Sequence, residues 1–219
     1  MGDEAMQIFF SGYPGDVSTI DYGRVPYIDG EYTLRVGIMY MGGYRLLAVF
    51  LNDGSGWQLT DCLNADDFGI EDTMKIDLLT RDNGEPGAWL LLPSIGHGTG
   101  VYALYEEWYN VFTHQFEARY EREGFDEVAL GDGASYIYAT VMDMSIVDNK
   151  LPTVLPYTRR TSYLQSDHSD YAITELARHV VTGEYVYDAT TASYSRQNQE
   201  IQEDAVAPSP ATVFFENWR

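Results

Sequence analysis

Short apolar runs and alternating apolar and polar residues dominate the first hundred positions of the chain. The segment Tyr32–Tyr40 alternates, and after a Gly-Gly pair the apolar run Arg45–Leu51 follows. A glycine pair between two such runs is typical of a two-residue β-hairpin, because glycine accepts the positive φ angles of the tight turn. The segments Met74–Leu79 and Ala88–Leu92 flank an Asn-Gly and a Pro-Gly pair, which predicts a second hairpin.

The pattern changes to helical spacing in two places. From Val101 to Arg122 the segment is rich in aromatic residues, and its apolar positions recur at the period of a helix. These positions are Leu104, Tyr105, Trp108, Val111, Phe112 and Ala118. A shorter helix is predicted for residues 170–181, with Asp167 or Ser169 as its cap and Gly183 after its end. Strands resume between the two helices, from Ala134 to Ile146.

These elements predict a mainly β, α+β fold. We expect an antiparallel β-sandwich or barrel with one central aromatic-rich helix, a second short helix and an extended C-terminal arm. A chain of 219 residues fits one domain. The β-rich domain is expected over residues 1–187, and residues 188–219 are interpreted as a polar linker followed by an apolar arm.

The apolar residues of that arm need a surface on which to dock. They either return to the core of their own chain or bind a neighbouring copy. The predicted interface residues are Val213, Phe214, Phe215 and Trp218.

The formal charge of −21 comes from 34 acidic and 13 basic residues, of which only two are lysine. In dilute salt such a charge repels itself, whereas in molar salt the Debye length falls to roughly 3 Å and screens the repulsion. Abundant Asp with scarce Lys favours a salt-adapted protein; the alternative is an arginine-preferring genome with a locally acidic surface. The same charge argues against sequence-specific nucleic-acid binding and against a membrane partner.

Little in the chain indicates catalysis. The acidic cluster Asp66, Asp67, Glu71 and Asp72 is a weak candidate for Ca²⁺ or Mg²⁺ binding, but it lacks the ligand order of an EF-hand, and a solvated loop explains it better. The four histidines show no zinc spacing. The single cysteine, Cys62, excludes an intrachain disulfide and is interpreted as a buried apolar residue. We therefore predict no enzyme activity, catalytic residue, cofactor or small-molecule substrate.

The start of the chain lacks the pattern of a signal peptide, and no apolar run is long enough for a transmembrane helix. We therefore expect the chain to stay in the cytoplasm where it is made, or to leave it inside a particle. The 18 tyrosines are many for this length and favour contact surfaces between proteins over an enzyme.

The layout of hairpins such as Tyr32–Leu51, the aromatic segment Val101–Arg122 and the strands at Ala134–Ile146 resembles the β-sandwich-plus-helix of tailed-virus tail-tube and distal-tail proteins. The lysine-poor acidity is similar to that expected of a virus of a halophilic archaeon. The resemblance implies ring assembly, a virion location after synthesis in the host cytoplasm, and partners that are copies of the chain and other virion proteins. The leading hypothesis is a structural assembly protein of a virus particle. The alternatives are a carbohydrate- or ligand-binding β-domain, a virus capsid β-barrel protein, an enzyme with an unrecognised carboxylate site and a DNA-mimic inhibitor.

Overall fold

The structure is a computed structural model that describes residues 17–41, 44–64, 75–129, 134–167 and 172–204, and these residues form two β-sheets. The smaller sheet contains, in spatial order, β1 (Val17–Tyr27), β2 (Gly30–Met41), β3 (Tyr44–Asn52) and β4 (Trp57–Asn64). The remaining strands are β5 (Asp77–Arg81), β6 (Ala88–Gly98), β7 (Val101–Asn110), β8 (Gln115–Ala129), β9 (Ala134–Met144), β10 (Lys150–Leu151), β11 (Val154–Asp167), β12 (Ala172–Asp188) and β13 (Ser193–Asp204). They form one sheet in the order β10-β5-β6-β7-β8-β9-β11-β12-β13, with β10 and β5 as its one parallel pair among the described residues.

The smaller sheet packs face to face on the part of the large sheet formed by β6 and β7. Alternate residues of β2 and β3 point into this layer, as the alternation in the sequence predicts. They meet Leu90 and Leu92 of β6 and Tyr109 of β7. The Tyr22 hydroxyl also donates a hydrogen bond of 2.6 Å to the Ile76 carbonyl across the layer. The predicted antiparallel β-sandwich is therefore confirmed.

The nine-stranded sheet curls over, so that strands from its two ends share a second core. This core is aromatic: Trp89 lies edge-on to Tyr187 and Tyr194, with the Trp89 and Tyr194 ring centroids 5.2 Å apart. Trp108 packs against Tyr185 at 5.5 Å. Hydrogen bonds cross the same core, since the Tyr187 hydroxyl donates to the Pro86 carbonyl and Asn110 Nδ2 donates to the Ala192 carbonyl at 3.1 Å. The curl brings β12 and β13 over the inner face of β6 and β7.

The central helix predicted from Val101 to Arg122 is wrong. The segment forms β7 and the first half of β8, joined by a turn at residues 111–114. Strand β7 is covered on both faces, by the smaller sheet and by the aromatic core, and residues 106–111 are all buried. A strand that is buried on both faces lacks the alternation of apolar and polar residues by which strands are recognised. The remaining spacing of its apolar residues therefore matched the period of a helix.

The second helix, predicted for residues 170–181, is also wrong, because Ala172–Asp188 is the long strand β12. It pairs with β11 along its length, and β-branched residues such as Ile173, Val180 and Val181 suit a strand. The predicted polar linker likewise contains strand β13, which pairs with β12 as far as Asp204. None of the described residues is helical.

Both predicted hairpins are confirmed. Strands β2 and β3 pair with Met41 opposite Tyr44, which leaves a two-residue connection. Strands β5 and β6 pair with Thr80 opposite Ala88. The expectation that Cys62 is buried is wrong: β4 forms an edge of the smaller sheet, and the residue is exposed there.

Candidate functional site

A row of aromatic side chains crosses three strands of the large sheet, on the side to which the strand register also assigns the core residues Met142, Tyr157 and Tyr185. Tyr138 of β9 lies opposite Tyr163 of β11, and their rings meet edge to face with centroids 5.3 Å apart. Tyr163 meets the His179 ring of β12 at 4.9 Å, and its hydroxyl lies 3.3 Å from His179 Nδ1. Tyr136 lies two residues from Tyr138 on the same side of β9. We call these four residues the tyrosine face.

The tyrosine face is open to solvent, whereas the reverse side of the same strands is covered. Tyr136 and Tyr138 are each 39% exposed. The alternate residues of β9, Ile137 and Ala139, are buried together with Leu164 of β11. The side chains of the tyrosine face therefore contribute little to a core, and exposed aromatic residues placed side by side are typical of a contact surface.

The centre of the tyrosine face carries no acidic residue, although the chain has a charge of −21. The strand register places no Asp or Glu of β9, β11 or β12 on this side within the described part of those strands that surrounds the rings. The positions concerned are Tyr136, Tyr138, Thr140, Thr161, Tyr163, Gln165, Thr174, Ala177 and His179. The carboxylate of Glu175 lies on the reverse side, where Ser162 donates to it at 2.8 Å and Arg178 pairs with it at 2.7 Å. By register, Asp126 of β8 lies directly opposite Tyr138, Glu203 of β13 lies directly opposite His179, and Asp167 of β11 lies two residues beyond Gln165 on the same side. Acidic positions therefore border the rings.

Most of the basic residues are already engaged with carboxylates. Eight of the chain's cations form ion pairs among the described residues, for example Arg119 with Glu107 at 3.0 Å and Arg160 with Asp143 at 2.6 Å. Since acidic residues outnumber basic ones by 34 to 13, most of the surplus negative charge has no cation beside it. Two copies of the chain therefore repel each other in dilute salt.

Two buried polar groups stabilise the aromatic core and do not line an open site. The Arg81 guanidinium donates to the Leu151 carbonyl, the Tyr194 hydroxyl, Thr153 and Glu85 over 2.7–3.0 Å. The carboxylate of Glu117 accepts hydrogen bonds from Trp89 Nε1, the Tyr194 amide and Asn110 Nδ2. Burial raises the pKa of Glu117, although these three donors act in the opposite direction. Both groups form hydrogen bonds that connect different strands of the curled sheet.

A cleft of about 350 Å³ lies where β8 and β9 separate. Its wall carries the buried carboxylate of Glu106, which accepts hydrogen bonds from the Tyr120 hydroxyl and from Arg122 Nη1, the latter at 2.5 Å. Burial, reinforced by Glu106, raises the pKa of Tyr120. Because both oxygens of Glu106 are engaged, this arrangement resembles a buried ion pair more than a poised catalytic base.

A second polar cluster connects the smaller sheet to the turn between β7 and β8. The Tyr109 hydroxyl donates to Asp61 Oδ2 of β4 and lies 3.2 Å from His114 Nδ1, which is 3.5 Å from the same carboxylate oxygen. Burial and the bond to Asp61 raise the pKa of Tyr109. His114 has a positive φ of 58°, in the left-handed region that usually favours glycine or asparagine.

The metal-binding and interface candidates named from the sequence lie outside the described ranges. This applies to the weak metal candidates Asp66, Asp67, Glu71 and Asp72 and to the predicted interface residues Val213, Phe214, Phe215 and Trp218. Among the residues that the structure does describe, no three His, Cys, Asp or Glu side chains are placed to share a metal ion. No membrane-spanning helix is found in the described ranges either. The tyrosine count pointed to contact surfaces, but the strand register was needed to show which tyrosines lie side by side.

No protein-family model, curated protein or solved structure matches the chain.

Proposed function

We propose that this protein is a non-catalytic structural protein that assembles with copies of itself through the tyrosine face, in keeping with the virion role inferred from the sequence. The observation that carries the proposal is a row of aromatic rings, two of them 39% exposed, on a strongly acidic chain. Tyrosine contributes a large contact area at low entropic cost and tolerates exposure in the free monomer. The helix that formed part of the resemblance to tail proteins is absent from the described residues, so the proposal rests on this surface and on the charge distribution.

The size of the tyrosine face indicates that it is the centre of a larger interface. Three strands spaced about 4.8 Å apart and six residues at about 3.4 Å each cover roughly 10 by 20 Å. A stable interface buries about 800 Å² on each partner, so the surrounding strands must contribute the rest. Strand β13 is one open edge of the sheet beside this surface, and its residue Ile201 is 70% exposed. Aromatic residues at the centre and polar residues at the rim are the usual anatomy of an interface.

The charge predicts how assembly depends on salt. Two copies of −21 repel each other in dilute buffer, and molar salt shortens the Debye length to roughly 3 Å, so that only close contacts remain significant. Association should therefore strengthen as KCl is raised. For interfaces held mainly by ion pairs between partners the opposite trend is expected, because salt screens attraction as well as repulsion.

The test is the molar mass in molar KCl, measured by light scattering coupled to size-exclusion chromatography. The parent should elute as an oligomer, and the double variant Tyr136→Ser/Tyr138→Ser as a monomer. The matched control is Val147→Ser/Val154→Ser, which removes two exposed apolar side chains elsewhere and should keep the mass of the parent. A monomeric parent in molar KCl, or an oligomer that survives the tyrosine double variant, would contradict the proposal. A truncation that lacks residues 205–219 tests the predicted C-terminal contact separately.

A further inference from the structure

A small pocket lies at one end of the sandwich, where the end of the β1–β2 hairpin, the β3–β4 turn and the β7–β8 turn come together. Its volume is about 220 Å³. Tyr27, Tyr32 and Phe112 form an aromatic wall, and Asp53, Gln58 and His114 place polar groups around it. The pocket is separate from the tyrosine face, which lies on β9, β11 and β12.

The aromatic wall is preorganised. The rings of Tyr27 and Phe112 are stacked, with centroids 4.0 Å apart and planes 13° apart. Tyr32 stands edge-on to both, at 6.2 Å from Tyr27 and 5.6 Å from Phe112. Because each ring is held by the other two, a ligand that stacks on this wall need not order it first, which lowers the cost of binding.

The polar groups are held in place as well. The Asp53 carboxylate accepts bonds from the Ser55 amide at 2.9 Å and the Ser55 hydroxyl at 2.6 Å, and these bonds lower its pKa. His114 is held at Nδ1 by Tyr109 and Asp61, so its other ring nitrogen, Nε2, is left for a ligand. Its φ of 58° would be adopted by glycine with less strain. The contacts of the His114 ring with Tyr109 and Asp61 compensate for this backbone strain.

We propose that this pocket binds one pyranose ring of a carbohydrate. The apolar C–H face of the sugar would stack on the aromatic wall, and its hydroxyl groups would bond to Asp53, Gln58 and His114. Drug-sized sites measure about 300–1,000 Å³, so a cavity of this size accepts a single ring and leaves the rest of a glycan in solvent. Several hydrogen-bonding side chains beside an aromatic wall match a ligand with many hydroxyl groups and one apolar face. The inference does not depend on self-association.

The experiment is saturation-transfer NMR on the full chain in molar KCl, with methyl glycosides of glucose, galactose, mannose and N-acetylglucosamine as probes. At about 10 mM each, a site of millimolar affinity is well occupied. We expect transfer to the ring protons of at least one glycoside. Phe112→Leu keeps apolar volume but removes the flat ring, and His114→Gly removes the imidazole at a position where glycine is unstrained. Each should weaken binding about tenfold, the loss expected from one good aromatic or charged contact.

The control is the double variant Tyr136→Ser/Tyr138→Ser, which should bind the same glycoside with unchanged affinity even where it no longer assembles. Loss of glycoside binding and loss of self-association can therefore be observed independently of each other. Absence of transfer from all four glycosides, or transfer that both pocket variants retain, would overturn the inference. Binding of tetramethylammonium in place of the glycosides would also overturn it, because it would assign the pocket to a cation.

Discussion

Replacing Arg81 with methionine should show how much one buried guanidinium contributes to closing the curled sheet. Arg81 is 1% exposed and lies on β5, next to β10. Its Nη1 donates to the Leu151 carbonyl at 2.9 Å and to the Tyr194 hydroxyl at 2.7 Å, and its Nη2 donates to Thr153 and Glu85. These partners lie on β10, on β13 and in the loops, so one side chain joins segments from both ends of the sheet.

The expected loss of stability depends on which hydrogen bonds each partner of Arg81 retains in the variant. Leu151 still accepts the Asp82 amide, Tyr194 still donates to the Pro152 carbonyl, and the half-exposed Glu85 regains water. The variant therefore leaves few groups unpaired. The variant loses hydrogen bonds to a charged group, each worth about 1.5–3 kcal/mol. The cost of removing the guanidinium from water offsets part of this contribution. The variant also loses the cation–π contact with Tyr187, whose ring centroid lies 4.1 Å away, worth about 1–2 kcal/mol.

We expect the free energy of unfolding to fall by about 2–4 kcal/mol, and the melting temperature to fall by about 2–4 °C for each kcal/mol. The assay is urea denaturation in molar KCl, followed by the fluorescence of the buried tryptophans. Arg160→Met is the matched control, because Arg160 and Asp143 form an exposed pair that should contribute less than about 1 kcal/mol. A methionine variant as stable as the parent would refute the reasoning, since it would show that burying the guanidinium costs as much as its contacts return.

Three further changes test other parts of the core by the same assay. Glu117→Gln should cost about 1–3 kcal/mol, because Asn110 is fixed as an acceptor by two backbone amides and its NH2 group would face a second NH2. Gly183→Ala should cost about 1–3 kcal/mol, because the new Cβ would lie 2.5 Å from the Tyr157 hydroxyl oxygen and displace that ring. Burial raises the pKa of Glu107 above its ordinary 4.5, so its stabilising contribution is complete below that pH and is lost as pH rises through the folded pKa. Between about pH 4.5 and pH 7 the parent should therefore lose more stability than Glu107→Gln.

Each of these changes has an outcome that would count against it. Gly98→Ala places its Cβ in open space and should leave stability unchanged, so an equal loss there would show that steric conflict is not the cause at Gly183. If Glu117→Gln costs nothing, the hydrogen bonds of that carboxylate are offset by its burial. If the pH dependence of Glu107→Gln equals that of the parent, other carboxyl groups set the slope.

The sequence predicted the hairpin strands β2, β3, β5 and β6. The hairpin of β2 and β3 was identifiable because its residues alternate and a glycine pair separates them. Strand β7 was not, because it lies between two layers and is apolar on both sides. The turn after it contains neither glycine nor proline; Asn110 forms it by accepting the amides of Phe112 and Thr113 through its side chain. Such a turn leaves little signal in a single sequence.

The candidate sites were less accessible to sequence reasoning than the fold. Asp61, Tyr109 and His114 come together because two sheets pack, and the pair Asp61 and Tyr109 is 48 residues apart in the chain. The tyrosine face depends on the register of three strands. A tyrosine count predicts that contact surfaces exist, but it cannot distinguish Tyr185, which is 1% exposed, from Tyr138, which is 39% exposed.

By itself, the sequence determined the charge of −21, the scarcity of lysine and the β-forming chemistry of most segments, since these depend on composition and on neighbouring residues. Only the tertiary structure decided that the large sheet curls over an aromatic core, that β7 and β12 are strands, and which aromatic rings remain in solvent. The physical reason is that the two-residue period of a strand assigns each side chain to a face, whereas burial depends on what packs against that face. That second layer comes from residues far away in the chain.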